Sequence, residues 1–282
     1  MRVCDLHTHS NFSDGTLTPE QLIREAEKAG LSAVALCDHN TVAGLGAFLQ
    51  AGKTSSVEPV PGIEFSTDYK GTELHLVMLF VKQQDYAPIT DFLEKVLERK
   101  EESMRRLVQA LRKVQIPLDY DALQNNTPDG YINRALVAAE LVRLGYAETM
   151  KDAFKRYLKP GVGYYTPPQL PDILKVIGFI RDLGGVSVLA HPFLNLNEVE
   201  LLELLPQAKA CGLDAMETMY SRYDRETTQK AKTLASRFQL LESGGSDFHG
   251  GNKPDIYLGV GTGDLRIPLG MLDKLKNNIK NI

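Results

Sequence analysis

The sequence predicts an α/β fold, and three features of its 282 residues carry that prediction. Short apolar runs recur along the chain, helical patterns with marked ends lie between them, and every histidine falls within or just after one of the runs. Strands and helices in alternation pair in parallel through right-handed crossovers, which leaves a doubly wound sheet or a (β/α) barrel. The balance of 43% apolar and 24% charged residues is that of a chain able to bury its own core.

Taken in order, the first run is Val3–Leu6, and a helix follows near residues 19–29. Thr18 is placed to cap it, Pro19 suits the first helical position, Gln21 completes a capping-box pattern and Gly30 stops it. Leu22, Ile23, Ala26 and Ala29 supply the buried stripe. Ala33–Cys37 is a continuous apolar run, the pattern of a strand covered on both faces. Further runs near 60–65, 74–80, 186–190, 213–218 and 239–243 bring the expected number of strands to seven. Residues 86–166 read differently. Ile89, Leu93, Val96, Met104, Leu107 and Leu111 keep helical spacing, Ile116-Pro117 ends it, and shorter helical patterns follow at 133–144 and 150–158. This predicts an all-helical insertion, 86–166, between the two halves of an α/β unit, 1–85 and 167–282.

Charge and targeting signals narrow the function. A net charge of -4 gives no general pull toward nucleic acid or an anionic membrane, so an anionic substrate needs a local positive site. No apolar stretch approaches the roughly 18–20 residues of a spanning helix, and the N-terminus shows no signal-peptide pattern, so a cytoplasmic location is expected. Cys4, Cys37 and Cys211 have neither metal nor redox spacing and read as reduced structural thiols; a nucleophilic Cys37 beside Asp38-His39 is the sharper alternative.

The six histidines are His7, His9, His39, His75, His191 and His249. His7 and His9 are two residues apart on a strand, which puts both imidazoles on one face. Asp14 lies in a Ser-Asp-Gly turn, Asp38-His39 follows the second strand, Glu64 follows Pro61-Gly62-Ile63, and Asp247 and His249 follow the seventh. Strand ends of a parallel α/β domain open onto one rim, so these groups converge there. Singly, each has an ordinary explanation as a hydrogen-bonded or turn residue. Six histidines with none to spare, joined by carboxylates, point to a metal site.

The motifs His7-Thr8-His9, Ser13-Asp14-Gly15, Cys37-Asp38-His39-Asn40, Pro61-Gly62-Ile63-Glu64, Glu73-Leu74-His75, Ala190-His191-Pro192 and Gly245-Ser246-Asp247-Phe248-His249 resemble, in order, those of the polymerase and histidinol phosphatase (PHP) superfamily. The resemblance implies a distorted seven-stranded (β/α) barrel carrying the helical insertion. It also implies that His7, His9, Glu64 and Asp247 hold one divalent cation, that Glu64 bridges to a second held by His75 and His191, and that Asp14, His39 and His249 hold a third. Asp14 stands where some relatives place a histidine. Zinc, manganese and iron all suit mixed nitrogen and oxygen ligands. Asp5 and Asp38 are expected behind the ligands, fixing imidazole tautomers.

The chemistry implied is attack on phosphorus by a hydroxide held at a site of two or three metals, with Glu64 central to it. Where it is not committed to a cation, His249 or His39 would protonate the leaving oxygen, a role second to that of ligand. Arg134 is expected to clamp substrate phosphate, with Lys159 as a second cation and Tyr164, Tyr165 or Tyr220 stacking on a base. Ser10 and Ser246 read as turn residues. The expected activity is hydrolysis of small phosphomonoesters, with nucleotides (nucleoside monophosphates or 3',5'-bisphosphates) favoured and neither a stable nucleic-acid partner nor a membrane involved. A 5' exonuclease on short oligonucleotides, a histidinol-phosphate-type phosphatase and a non-catalytic metal-stabilised module are the alternatives.

Overall fold

The computed structural model describes residues 2–125, 127 and 131–279. Eight strands form one sheet: β1 (Val3–Thr8), β2 (Ala33–Leu36), β3 (Glu58–Tyr69), β4 (Thr72–Leu79), β5 (Val186–Ala190), β6 (Ala215–Tyr220), β7 (Leu241–Gly245) and β8 (Ile267–Pro268). Their order is β7-β6-β5-β4-β3-β2-β1-β8. Beyond β7 the chain returns to β1, where Asp247 N donates to His7 O and His9 N donates to Phe248 O, both at 2.9 Å. Those bonds curl the seven long strands into a near-closed barrel, and β8 adds a short antiparallel edge at Val3–Cys4. Gly245 is required at the seam, because a Cβ there would lie 2.2 Å from the Cβ of His7.

Local chemistry explains the elements. Thr18 caps the helix Pro19–Lys28 by accepting from Gln21 N, and the Gln21 side chain accepts from Thr18 N. In β2 the pleat sends Val34 and Leu36 to one apolar cluster and Ala33 and Ala35 to another, so both faces are buried. Among the described residues no helix is long and apolar enough to cross a membrane.

Besides the short β8 edge, strand direction departs from the all-parallel expectation at one strand of the barrel. β4 runs antiparallel to both β3 and β5. The cause is the two-residue turn Lys70-Gly71, whose φ angles of 52° and 84° are those of a hairpin turn that can join only antiparallel strands. Reversal has a functional consequence: His75, near the start of β4, pairs with Ser66 of β3 and Ala190 of β5 and so reaches the same rim as the ends of the parallel strands.

Residues 86–166 form the helices Tyr86–Lys113, Tyr120–Asn125, Arg134–Arg143 and Met150–Ala153 and a π-helical turn, Phe154–Leu158. The first helix serves two cores. Ile89, Leu93 and Val96 pack with the barrel, whereas Met104, Leu107 and Leu111 pack with Ile116, Val137, Leu141 and Leu158. That shared helix holds the helical layer over the rim.

Candidate metal centre

Glu64 lies at the centre of the rim, fully buried on β3. Its Oε2 is 3.2 Å from His7 Nε2, 3.3 Å from His9 Nε2 and 3.0 Å from His39 Nδ1. Its Oε1 is 3.0 Å from His75 Nδ1 and 3.1 Å from His191 Nε2. A second focus is Asp14, with Oδ1 3.0 Å from His249 Nε2 and 3.8 Å from His39 Nε2. His39 stands between the two, one ring nitrogen toward each carboxylate. Asp247 Oδ1 lies 3.3 Å from His9 Nε2. Every histidine and carboxylate named as a candidate ligand is therefore in one cluster. Donor atoms within 4.8 Å of one another fall into three groups: His7, His9 and Glu64; His39, Glu64 and His75; and His9, Asp14, His39 and His249.

These donors fit divalent cations. Glu64 Oε2, His7 Nε2, His9 Nε2, His39 Nδ1, His75 Nδ1 and His249 Nε2 are all buried without a hydrogen-bond partner. They lie at ion-pairing distances from carboxylates yet are misaligned for hydrogen bonds, an arrangement costly for polar groups unless another charge meets their lone pairs. Mixed imidazole and carboxylate donors are those borderline cations take.

Electrostatics agree. Burial disfavours the Glu64 carboxylate, but His7, His75 and His39 beside it outweigh burial and hold it well below the usual range. Burial opposes charge on His9 and His75 as well, yet the Asp247 and Glu64 carboxylates beside His9 lift it to about 9, and the Glu64 charge lifts His75 to about 10. His39 goes the other way, to about 4, because burial dominates. Near pH 7 the pocket thus attracts positive charge and carries it as protons on His9 and His75. Ligation needs those lone pairs, so cation loading is expected to release protons. Affinity should then climb as pH rises from about 6 to about 9. Calorimetry in buffers of different ionisation enthalpy reads the release directly; no net release near pH 7 would contradict this picture.

Backbone strain and buried hydrogen bonds hold the ring in place. Asn40, His191 and Asp247 have φ of 54°, 30° and 56°, in the left-handed region that non-glycine residues rarely enter. The Asn40 amide secures its turn by donating to Ser66 Oγ at 3.1 Å and accepting from Ser66 N at 3.0 Å. Asp5 and Asp38 do not fix imidazole side chains, as expected of them. Asp5 instead accepts from Ser246 N, Ser246 Oγ and Gly259 N, and Asp38 from Ser10 N, Ser10 Oγ and Ser13 Oγ. Both are buried clamps on the loops that carry the ligands. Ser10 and Ser246 are accordingly hydrogen-bonding turn residues. Burial pushes the Cys37 thiol far up, which removes it as a nucleophile.

The expected substrate residues divide. Arg134 lines a cavity at the rim together with His39, His75, Asp14, Glu73 and Lys100. It donates to Glu73 Oε2 at 3.1 Å and lies over the Tyr165 ring, 4.6 Å from its centroid. Tyr165 therefore supports Arg134. Lys159 is exposed and does not line the cavity that holds Arg134, and Lys100 stands beside Arg134 instead, donating to Ser66 Oγ at 2.7 Å. Tyr220 is 3% exposed and presents no face for stacking; its hydroxyl donates to Asp247 Oδ2 at 2.9 Å. Lys253 Nζ donates to the same oxygen at 2.7 Å, leaving Oδ1 turned to His9.

Three residues escaped sequence reasoning. Lys100 lies in the charged stretch Glu98-Arg-Lys-Glu-Glu, which reads as a solvated helix face, and Lys253 in an unpatterned loop. Glu217 is the third, 1% exposed, with oxygens 2.9 Å from His7 Nδ1 and 2.6 Å from His191 N. A glutamate inside an apolar strand run was the available signal, since such a group is almost never buried unpaired.

A barrel whose rim gathers six imidazoles around buried carboxylates, beneath a cavity lined by two cations, defines the protein as a metal-dependent phosphoesterase. The chain belongs to the PHP domain family, which it matches over residues 5–162. It is 34% identical over 246 residues to a 5'-3' exoribonuclease of Haemophilus influenzae, spanning 87% of this chain and 89% of that one. It is 29% identical over 248 residues to a 3',5'-nucleoside bisphosphate phosphatase of Chromobacterium violaceum, spanning 87% and 86%. Among solved structures, a Bifidobacterium adolescentis protein assigned as a metal-dependent phosphoesterase superposes with a TM-score of 0.88 at 28% identity, over 100% of this chain and 98% of that one.

Proposed function

We propose that the protein hydrolyses the 3'-phosphate ester of nucleoside 3',5'-bisphosphates, with the 3'-phosphorus at the Glu64 cluster and the 5'-phosphate on Arg134 and Lys100. The observation that carries this reading is that one cavity contains both His39 and His75 of the cluster and the two cations of the helical layer. A substrate with two phosphates would bridge them. The two relatives support the orientation, because a nucleotide with a 5' end and a 3'-linked phosphate is what a 3',5'-bisphosphate and the 5' terminus of an RNA have in common.

Two or three divalent cations of zinc, manganese or iron would be held by His7, His9, Asp14, His39, Glu64, His75, His191, Asp247 and His249. When bound they supply charge that lowers the pKa of water and offsets charge spreading over the phosphoryl oxygens. The chain's own residues do the rest. Arg134, placed over the Tyr165 ring and tied to Glu73, carries a planar fork suited to two phosphate oxygens. Lys100, anchored on Ser66, adds a point charge. Burial of Glu64, His7, His9 and His249 keeps bulk water from that side of the ring, so contacts there act at low dielectric.

A second reading has its own support: a 5' exonuclease acting on short RNA would place its first nucleotide in the same cavity. The open groove beside Glu73, His75 and Arg134, continuing past Thr72 to Leu194 and Asn195, is where the remaining nucleotides would leave. Phosphate and mononucleotide release separates the readings. Adenosine 3',5'-bisphosphate is expected to be hydrolysed to the 5'-monophosphate with kcat/KM about 10- to 100-fold above that for the 3'-monophosphate, the worth of a charge-assisted clamp. Equal rates would remove the clamp. Faster release of 5'-mononucleotides from a 5'-phosphorylated RNA trimer would favour the exonuclease, and preference for histidinol phosphate would overturn both nucleotide readings.

A further inference from the structure

We infer that Glu217 is a positioning residue that sets the tautomer of His7 and the backbone of His191, and so prepares two imidazoles on opposite oxygens of Glu64 to take cations. The inference rests on the proposal that these histidines hold metal.

Glu217 sits on β6 at the point where its register with β7 shifts, between Glu217 and Met219. Its side chain is 2% exposed, and among the described residues no lysine or arginine pairs with it. An ionised carboxylate accepts hydrogen bonds only, so both groups it meets must donate. Oε1 takes His7 Nδ1–H at 2.9 Å, and Oε2 takes the backbone N–H of His191 at 2.6 Å.

Each bond fixes something the cluster needs. With its proton on Nδ1, His7 keeps the lone pair on Nε2, the nitrogen 3.2 Å from Glu64 Oε2; the other tautomer would aim a proton there. His191 has a φ of 30°, a backbone state that its surroundings must enforce. The Glu217 bond to its N–H enforces it and leaves His191 Nε2 3.1 Å from Glu64 Oε1. One buried carboxylate therefore sets ligands on both sides of Glu64. His249 has a separate support, its Nδ1 lying 2.8 Å from the carbonyl of Asp247.

Glutamine cannot replace it, although it has the same size. If the amide oxygen accepts from His191 N, the amide nitrogen faces His7 Nδ1 and forces the proton onto Nε2. If the amide flips, its N–H meets the His191 N–H. Aspartate keeps two acceptors but is a methylene shorter. A residue that merely packs should tolerate glutamine better than aspartate; a residue that works by accepting two hydrogen bonds should show the reverse order.

The test is zinc affinity of the full-length, chelator-stripped protein, measured by competition with a chromophoric chelator, for the parent, Glu217→Gln and Glu217→Asp. Expected is a loss of about 10- to 100-fold for glutamine and a smaller loss for aspartate. Glutamine binding zinc as the parent does, or more tightly than aspartate, would overturn the inference while leaving the metal centre standing. A parent that binds no zinc would overturn the metal centre itself. Imidazole nitrogen NMR of the zinc-loaded parent needs no variant: His7 is expected as the Nδ1–H tautomer, and an Nε2–H signal for His7 would refute the assignment.

Discussion

Glu64→Ala is expected to reduce phosphate release by more than about 10³-fold, the scale of losing charge stabilisation at the phosphoryl group. Most bound cation should be lost with it, as read by elemental analysis of the purified variant. Among the described residues no other side chain lies against so many of the ring's donors. His7, His9 and His39 share its Oε2, and His75 and His191 share its Oε1. Removing it separates the two sides of the ring and also removes the charge that raises His75 to about 10. That imidazole then returns toward its neutral form near pH 7, so the stripped variant is not left with an uncompensated buried charge at this position. It should melt cooperatively in chelator, which distinguishes loss of the site from loss of the fold. A variant that keeps its metal and half its turnover would remove Glu64 from the centre of the mechanism.

Arg134→Ala should act on binding alone. Its guanidinium lies 4.6 Å above the Tyr165 ring and contacts Glu73 at 3.1 Å, but approaches none of the ring carboxylates within ion-pairing distance. Cation content is therefore expected to stay at the parental level while KM for a 3',5'-bisphosphate rises about 10- to 100-fold. The effect should disappear with a substrate that has only the 3'-phosphate, because the clamp then has nothing to hold. Unchanged KM would transfer the role to Lys100, whose Nζ is pinned at 2.7 Å to Ser66 in the same cavity.

Much of this site is written in local sequence because its ligands obey strand geometry. His7 and His9 needed only the two-residue pleat, and Glu64, His191, Asp247 and His249 needed only to follow apolar runs whose ends meet at one rim. Parts that depend on what a residue meets across the barrel were hidden. Asp5 and Glu217 look alike as acids in buried strands, yet Asp5 takes Ser246 and Gly259 whereas Glu217 takes His7 and His191. Lys100 is hidden in a run of charges that reads as a solvated face, and only the packing of the helix Tyr86–Lys113 across both cores turns it toward the ring. The direction of β4 was legible in principle. Tyr69-Lys-Gly-Thr72 is a hairpin signal, obscured because the apolar runs on either side stop short of the turn.

Anomalous diffraction from crystals soaked in manganese tests the account most directly. Peaks are expected on both sides of Glu64, one bounded by His7, His9 and Asp247 and the other by His75 and His191. Peaks confined to other parts of the surface, with the Glu64 oxygens contacting only imidazole, would contradict it.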